Sequence, residues 1–296
     1  MKIIIARDAV PNKAFMALAP ILTSIGEDVL VWDIQHKAVF DMFEEQSPDF
    51  LFINQASITE EIVRALEDYP NIKTILYGIH VPRIMQHLAP PLALCVPPNI
   101  NERLLQHTGD VPLMKMECAA NLIQLSNGYY VDRIKSDVLY VCSSDISKRE
   151  YITRTVNGVL ANTNWSVKCV GSHFIPSALF VGVTDTQETM NFLASTTIAV
   201  DYDHDMFYDL LANNVFTLTN ITQQTLMPSF GTEVELVELI SKYIGARKAR
   251  RKYSKEAYKI IIEKDTYFHR LAELAEILGK SDWKEKSLDA LRRFRQ

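Results

Sequence analysis

Twice along its length this sequence alternates short apolar runs, rich in β-branched residues, with stretches whose apolar residues recur at helical spacing. In the first half the strand-like runs are Lys2 to Ala6, Asp28 to Trp32, Asp49 to Ile53, Lys73 to Tyr77 and Leu92 to Val96. Helical spacing marks Ala14 to Ile25, Ala38 to Glu45 and a stretch reaching Tyr69. Gly26 stands where a helix C-cap would, and Ser57-Ile58-Thr59-Glu60 has the pattern of a capping box. The second half restarts the alternation. Strands are expected at Asp137 to Cys142, Trp165 to Val170, Leu179 to Val183, Thr197 to Asp201 and Val215 to Thr219. Helices are expected at Ile146 to Ala161, Thr186 to Ala194, Asp205 to Asn213, Val234 to Tyr243, Ala246 to Lys264, Asp265 to Leu278 and Ser281 to Arg295. Such alternation specifies a parallel sheet covered by crossover helices, here twice over.

A chain of 296 residues holds two such domains comfortably. Met114 to Leu125 reads as either a helix or a last strand pair, and the Asn127-Gly128 turn marks the linker. The expected domains are therefore 1–130 and 131–280, followed by a basic helix over 281–296 that is able to cross back to the first. Ligands bind at the carboxyl ends of the strands in open parallel sheets. Two such sheets facing across a linker would make a deep cleft that closes on its ligand and excludes water.

Composition narrows the function. The net charge is −5, which speaks against a whole-protein electrostatic grip on nucleic acid, although a local basic patch exists. The four cysteines form no C-x-x-C pair, so core thiols in a reducing compartment are expected rather than a zinc site. No secretory signal pattern opens the sequence and no apolar run is long enough to span a membrane. The expectation is a protein of the cytosol, or of a host cell's cytosol. No G-x-G-x-x-G follows the first strand and no P-loop is present, which disfavours dinucleotide oxidoreductases, ATPases and kinases.

More specific signals lie in the second half. They are Asp137-Val138-Leu139-Tyr140-Val141 with Ser143-Ser144 and Arg149, then Gly182-Val183 with Glu188, Phe192-Leu193-Ala194 and Ile198-Ala199-Val200. Phe207-Tyr208-Asp209-Leu210-Leu211-Ala212, Val215 to Thr219 and Asp265-Thr266-Tyr267-Phe268-His269-Arg270-Leu271 follow. In this order and spacing the pieces, spanning about residues 137 to 275, resemble the donor domain of CgeB-like GT-B glycosyltransferases. The resemblance implies a GT-B-like α/β fold, two Rossmann-like domains facing across a cleft, and transfer of a sugar from a nucleotide donor. Met206 stands where the family has an arginine, Asp209 replaces its glutamate, and Asn213-Asn214 replaces its small-Cys-Gly turn.

A nucleotide-sugar donor needs a carboxylate for its ribose hydroxyls, and cations, hydroxyls or backbone N–H groups for its diphosphate. The resemblance implies that Asp209 takes the ribose; an acid favoured by the helix dipole explains it equally. Ser143 and Ser144 are candidates for the phosphates, or Ser144 and Asp145 for a helix cap. Arg149, beside Lys148, sits in a helix's first turn, where a cation is unfavourable unless an anion or solvent rewards it. In Asp201-Tyr202-Asp203-His204-Asp205, His204 and Asp205 are candidate donor contacts by position. A polar loop with Asp203 or Asp205 as cap competes with that reading. No metal site is assigned, since further ligands are lacking.

On the acceptor side, Asp8 is the first choice for a general base and His80 the second. Arg7 and Lys13 flank the same loop as Asp8, and His87 is expected on a helix surface. Arg247, Arg250 and Arg251 belong to a basic run that would suit nucleic acid or another acceptor; a solvated helix face is the plain alternative. Arg292, Arg293 and Arg295 add a second basic cluster.

The expected activity is therefore a nucleotide-sugar-dependent glycosyltransferase, hexosyl or pentosyl, acting on an acceptor hydroxyl. That acceptor would extend to a hydroxymethylated base in duplex DNA of the phage type. A UDP-sugar is the leading donor, bound as substrate, with no permanent cofactor. A non-catalytic nucleotide- or sugar-binding protein on the same fold is the alternative, and a sugar-nucleotide epimerase or periplasmic-type binding protein follows.

Overall fold

The computed structural model describes residues 1–7, 13–97, 110–123, 128–142, 149–162, 164–171, 180–182, 186–202, 206–221 and 226–294. The chain forms two compact units. The first joins Met1–Cys118 to Tyr267–Gln296, and the second is the continuous stretch Ala119–Thr266. In chain order the first segment contains β1 (Lys2–Arg7), α1 (Lys13–Ser24), β2 (Asp28–Asp33), α2 (Val39–Gln46), β3 (Phe50–Asn54), α3 (Glu60–Asp68), β4 (Lys73–Tyr77), β5 (Ala93–Val96) and β6 (Leu113–Lys115). The second unit contains β7 (Ser136–Cys142), α4 (Arg149–Asn162), β8 (Val167–Gly171), β9 (Phe180–Gly182), α5 (Thr186–Ala194), β10 (Thr196–Asp201), α6 (Phe207–Ala212), β11 (Thr217–Thr219), α7 (Glu233–Ile244) and α8 (Arg247–Lys264). The tail adds α9 (Tyr267–Ile277) and α10 (Ser281–Phe294) to the first unit.

The first unit's sheet runs β2-β1-β3-β4-β5-β6, every pairing parallel. Ile3, Ile4, Ile5 and Ala6 are all buried, as expected of a strand covered on both faces. Ile4, Leu51, Leu76 and Leu94 pack with Trp32, Phe43 and Leu66 in one core cluster. Phe15 of α1 meets Phe52 edge to face at 5.2 Å, a favoured aromatic geometry. α10 closes this unit. Its Trp283 is fully buried with its ring 5.4 Å from that of Phe50, and its Ser287 Oγ donates to Phe268 O at 2.7 Å.

The second unit's sheet runs β11-β10-β7-β8-β9, again all parallel, with an irregularity between Cys169 and Val170. Leu139, Val141, Val170, Phe192, Ala199 and Leu210 form one of its cores. Thr232 and Glu235 form a reciprocal capping box that starts α7. This is the expected α/β class, in two Rossmann-like parallel-sheet units. No helix among the described residues is long and apolar enough to cross a membrane.

Several local expectations need correction. The cap of α3 is Thr59, whose side chain accepts from Ile62 N, while Ser57 lies in the preceding 3-10 turn. The helix therefore starts at Glu60 itself. Met114 to Leu125 holds neither a helix nor a strand pair among its described residues, only the end of the three-residue β6 and an isolated bridge. In that bridge Ala120 N donates to Asp265 O at 2.8 Å, and Ala120 pairs with Thr266. Those bonds tie the segment after Cys118 to the second unit, ahead of the expected linker. α9, expected with the second half, instead packs on α1, β6 and α10 through a face holding buried Phe268, Leu271 and Leu274.

Candidate functional site

Within the second unit the strand order reverses direction between β7 and β10, the first and fourth strands of that unit. Such a switch point leaves a crevice at the carboxyl ends of the two strands, where open α/β sheets take their ligands. Asp201 ends β10 in register with Val141, one residue before β7 ends. Ser143 and Ser144 come directly after β7, and His204 and Asp205 come shortly after β10. All four lie outside the described residues, as do Asp145, Lys148 and Asp203. Arg149 opens α4, but its side chain is likewise outside the description. Asp201 itself is only 1% exposed, a buried carboxylate at the end of a central strand. Next to it Tyr202 stacks on Tyr140 with ring centroids 6.2 Å apart and meets Phe230 edge to face at 5.4 Å.

Asp209 is the third residue of α6, shorter at its start than the expected Asp205 to Asn213. Its Oδ1 accepts from Asn121 N at 2.8 Å, and Asn121 is buried. The carboxylate thus anchors the incoming segment as well as facing the positive end of the helix dipole. Met206 precedes the helix and gives no side-chain cap. After the helix, Asn213 Nδ2 donates to Asp209 O at 2.9 Å. Asn214 takes φ 58°, the left-handed conformation that asparagine tolerates best after glycine. Asn213-Asn214 therefore turns the chain without a glycine.

In the first unit the order reverses between β1 and β3. Arg7 ends β1, and its Nη2 donates to Asp33 Oδ2 at 2.9 Å. That bond holds the Asp33 carboxyl below its ordinary pKa. Asp8 lies outside the described residues, and so does the side chain of Lys13, which opens α1. His80 follows β4 and is held by Gln55, the residue after β3. Gln55 Oε1 accepts from Ile79 N at 2.8 Å and from His80 N at 3.2 Å. Gln55 Nε2 lies 3.1 Å from His80 Nδ1 and 2.8 Å from its Nε2. An amide NH₂ donates only to a ring nitrogen bearing a lone pair, and with both nitrogens in reach either neutral tautomer offers one. His87 is in a turn rather than on a helix, exposed, with its Nε2 2.6 Å from Glu67 Oε1.

The three arginines fall on α8. Arg247 and Arg251 are exposed, whereas Arg250 is partly buried. Arg250 Nη1 donates to Ile244 O at 2.6 Å and to Tyr243 O, satisfying the last carbonyls of α7. Sequence reasoning missed Gln55 and Asn121 as positioning groups and Asp201 as a buried carboxylate. Only Asp201 and Gln55 carried a signal, each a polar residue at or just past the carboxyl end of an apolar strand.

No family model matches this sequence, and no curated protein matches it. Solved structures do match it in fold. An alpha-glucosyltransferase in complex with UDP-glucose and DNA containing an abasic site superposes with a TM-score of 0.68. Its identity is 10%, over 94% of this chain and 99% of that one. The glycotransferase of kitacinnamycin has a TM-score of 0.53 at 9% identity, over 94% and 98% of the two chains. A UDP-N-acetylglucosamine 2-epimerase has a TM-score of 0.51 at 11% identity, over 88% and 94%. At such identities the likeness is one of fold, the paired Rossmann-like architecture seen in GT-B glycosyltransferases and in nucleotide-sugar epimerases alike.

Proposed function

We propose that this chain is a glycosyltransferase that binds a nucleotide-sugar, first of all a UDP-sugar, at the β7/β10 switch point of its second unit. The observation that carries the reading is positional. The serine pair Ser143-Ser144 and the His204/Asp205 pair leave the two strands between which the sheet order reverses, and Asp209 stands in the first turn of the helix that follows. Hydroxyls and Arg149 suit a diphosphate, and Asp209 suits ribose hydroxyls. Asp8 or His80 in the first unit serves as the base for an acceptor hydroxyl. Duplex DNA carrying a hydroxymethylated base is the acceptor class to test first. It is suggested by the DNA in the first structure named above.

The test is a melting-temperature screen with UDP, GDP, ADP, CMP and their sugar conjugates. A ligand at 100 times its Kd adds about 2.7 kcal/mol of stability, a readily seen shift. A UDP-sugar that stabilises the protein and is slowly hydrolysed without acceptor supports transfer. Asp209→Asn keeps an acceptor for Asn121 N but removes the charge. It is expected to weaken donor binding by about 1–3 kcal/mol, the worth of a charged hydrogen bond. Donor affinity equal to wild type in that variant would remove Asp209 from the site. The epimerase likeness supports a second reading. Proton NMR of a UDP-sugar separates the two, since epimerisation changes a sugar stereocentre while transfer or hydrolysis releases UDP. A protein that binds nucleotide but does neither is the non-catalytic alternative.

A further inference from the structure

One face of α8 is anomalous. Residues 247, 250, 251, 254, 257 and 261 recur at helical spacing, and Ser254, Ala257 and Ile261 of that stripe are buried against the second unit. At its amino-terminal end the stripe changes from small and apolar residues to Arg247, Arg250 and Arg251. The three side chains line a cavity of about 450 Å³ whose far wall includes Thr196, Thr197 and Asn214. Thr196 and Thr197 begin β10, and Asn214 precedes β11. The cavity is therefore at the amino end of the sheet, opposite the carboxyl ends where the donor is placed above. Among the described residues no carboxylate lines it, and none pairs with Arg247, Arg250 or Arg251. Burial, and then the charge of Arg247, press the Arg250 guanidinium below its ordinary pKa. It stays cationic at neutral pH all the same, so the positive charge in the cavity is not relieved by deprotonation.

We propose that this cavity binds a phosphate group, with Arg247 and Arg251 as its charged donors and Thr197 and Asn214 as neutral ones. Guanidinium forks match phosphate oxygens in pairs, and hydroxyl and amide groups complete such a shell. Arg250 is the positioning residue: its bonds to the carbonyls of Tyr243 and Ile244 fix where α8 starts. The phosphate has two possible sources, a small phosphorylated molecule or one link of a nucleic-acid backbone. The exposed Lys248, Lys252 and Lys255 on the adjoining helix surface would extend the contact in the second case. The proposal does not rest on the transferase reading, because it concerns the other end of the sheet.

The experiment measures binding of pyrophosphate by calorimetry and of a 20-base-pair duplex by fluorescence anisotropy, for wild type and for Arg247→Gln/Arg251→Gln. If the source is small, pyrophosphate binds wild type and at least tenfold weaker in the variant, while duplex affinity is equal in both. If the source is a backbone, duplex affinity falls at least tenfold and the slope of log K against log salt drops by about 1–2, one unit or so per lost contact. Should the variant not fold, phenylglyoxal labelling of wild-type Arg247 and Arg251, read by peptide mass spectrometry, is expected to slow at least threefold with the bound probe. The proposal is overturned if wild type binds neither probe, if the variant binds both as wild type does, or if labelling is indifferent to the probe. Failure of UDP to bind either protein counts against the transferase reading alone.

Discussion

Gly78 has almost no room for a side chain, since a Cβ there would fall 2.2 Å from Gln55 Oε1 and 2.5 Å from Gln55 Cβ. Gly78→Ala is expected to destabilise by about 1–3 kcal/mol, as overpacking does. In a Gln55→Gly background, which removes both of those atoms, most of that cost should vanish, and a double-mutant cycle in urea reads the coupling. An unchanged cost in both backgrounds would mean that Gln55 does not hold the His80 turn. Burial pushes the Cys95 thiol up to about 12, so little thiolate exists near pH 8. Iodoacetamide labelling of the native protein, located by mass spectrometry, should spare Cys95 and favour the partly exposed Cys118. Asp33 responds to acid in the opposite sense. Its folded pKa lies below 3.8, so the Arg7 pair adds stability at pH above that value and loses it as pH falls through the lowered one. Asp33→Asn should flatten that acid limb of the melting curve, and an identical limb would assign it to other carboxylates. At this scale the sequence was only partly legible. Arg7 and Arg250 were readable as cations, but whether a cation meets a ligand or a neighbouring carboxylate or carbonyl depends on partners 26 and 6–7 positions away in the chain.

The elements themselves were more legible than their ends. Strands such as β1 and β4 are apolar runs that only a buried parallel sheet explains, and helical periodicity located α7 and α8 within about a turn. Their starts depend on which of several adjacent hydroxyls turns inward. Ser57 and Thr59 both precede Glu60, and only the backbone decides that Thr59 caps. Thr59→Ala is therefore expected to cost about 1 kcal/mol and Ser57→Ala a few tenths, measured by chemical denaturation. Equal costs would return the cap to the original pattern. β6 was illegible for a related reason, since three residues carry too little periodicity to separate strand from helix. Donor candidates could be named on the segments after β7 and β10 because a strand's carboxyl end is readable from the sequence, whereas Asn121 was missed because its bond to Asp209 spans 88 positions.

On the scale of the whole molecule, the repeated alternation revealed two α/β units but not the route of the chain between them. Local periodicity says nothing about which sheet a late helix joins, and α9 and α10 return to the first one. Trp283→Ala removes a fully buried ring beside Phe50 and is expected to cost about 3–5 kcal/mol. Proteolysis resolved by fragment should show the loss in peptides from Met1–Cys118, with Ala119–Thr266 still protected; equal exposure throughout would mean that the units do not melt separately. The interrupted first unit has a consequence for biosynthesis. The ribosome completes the residues of the second unit, an unbroken stretch, while the first still lacks α9 and α10, whose Trp283 covers Phe50. A nascent chain would therefore hold Phe50 without Trp283 until Tyr267–Gln296 emerge, and it should draw on chaperones for that interval more than a chain whose domains follow one another.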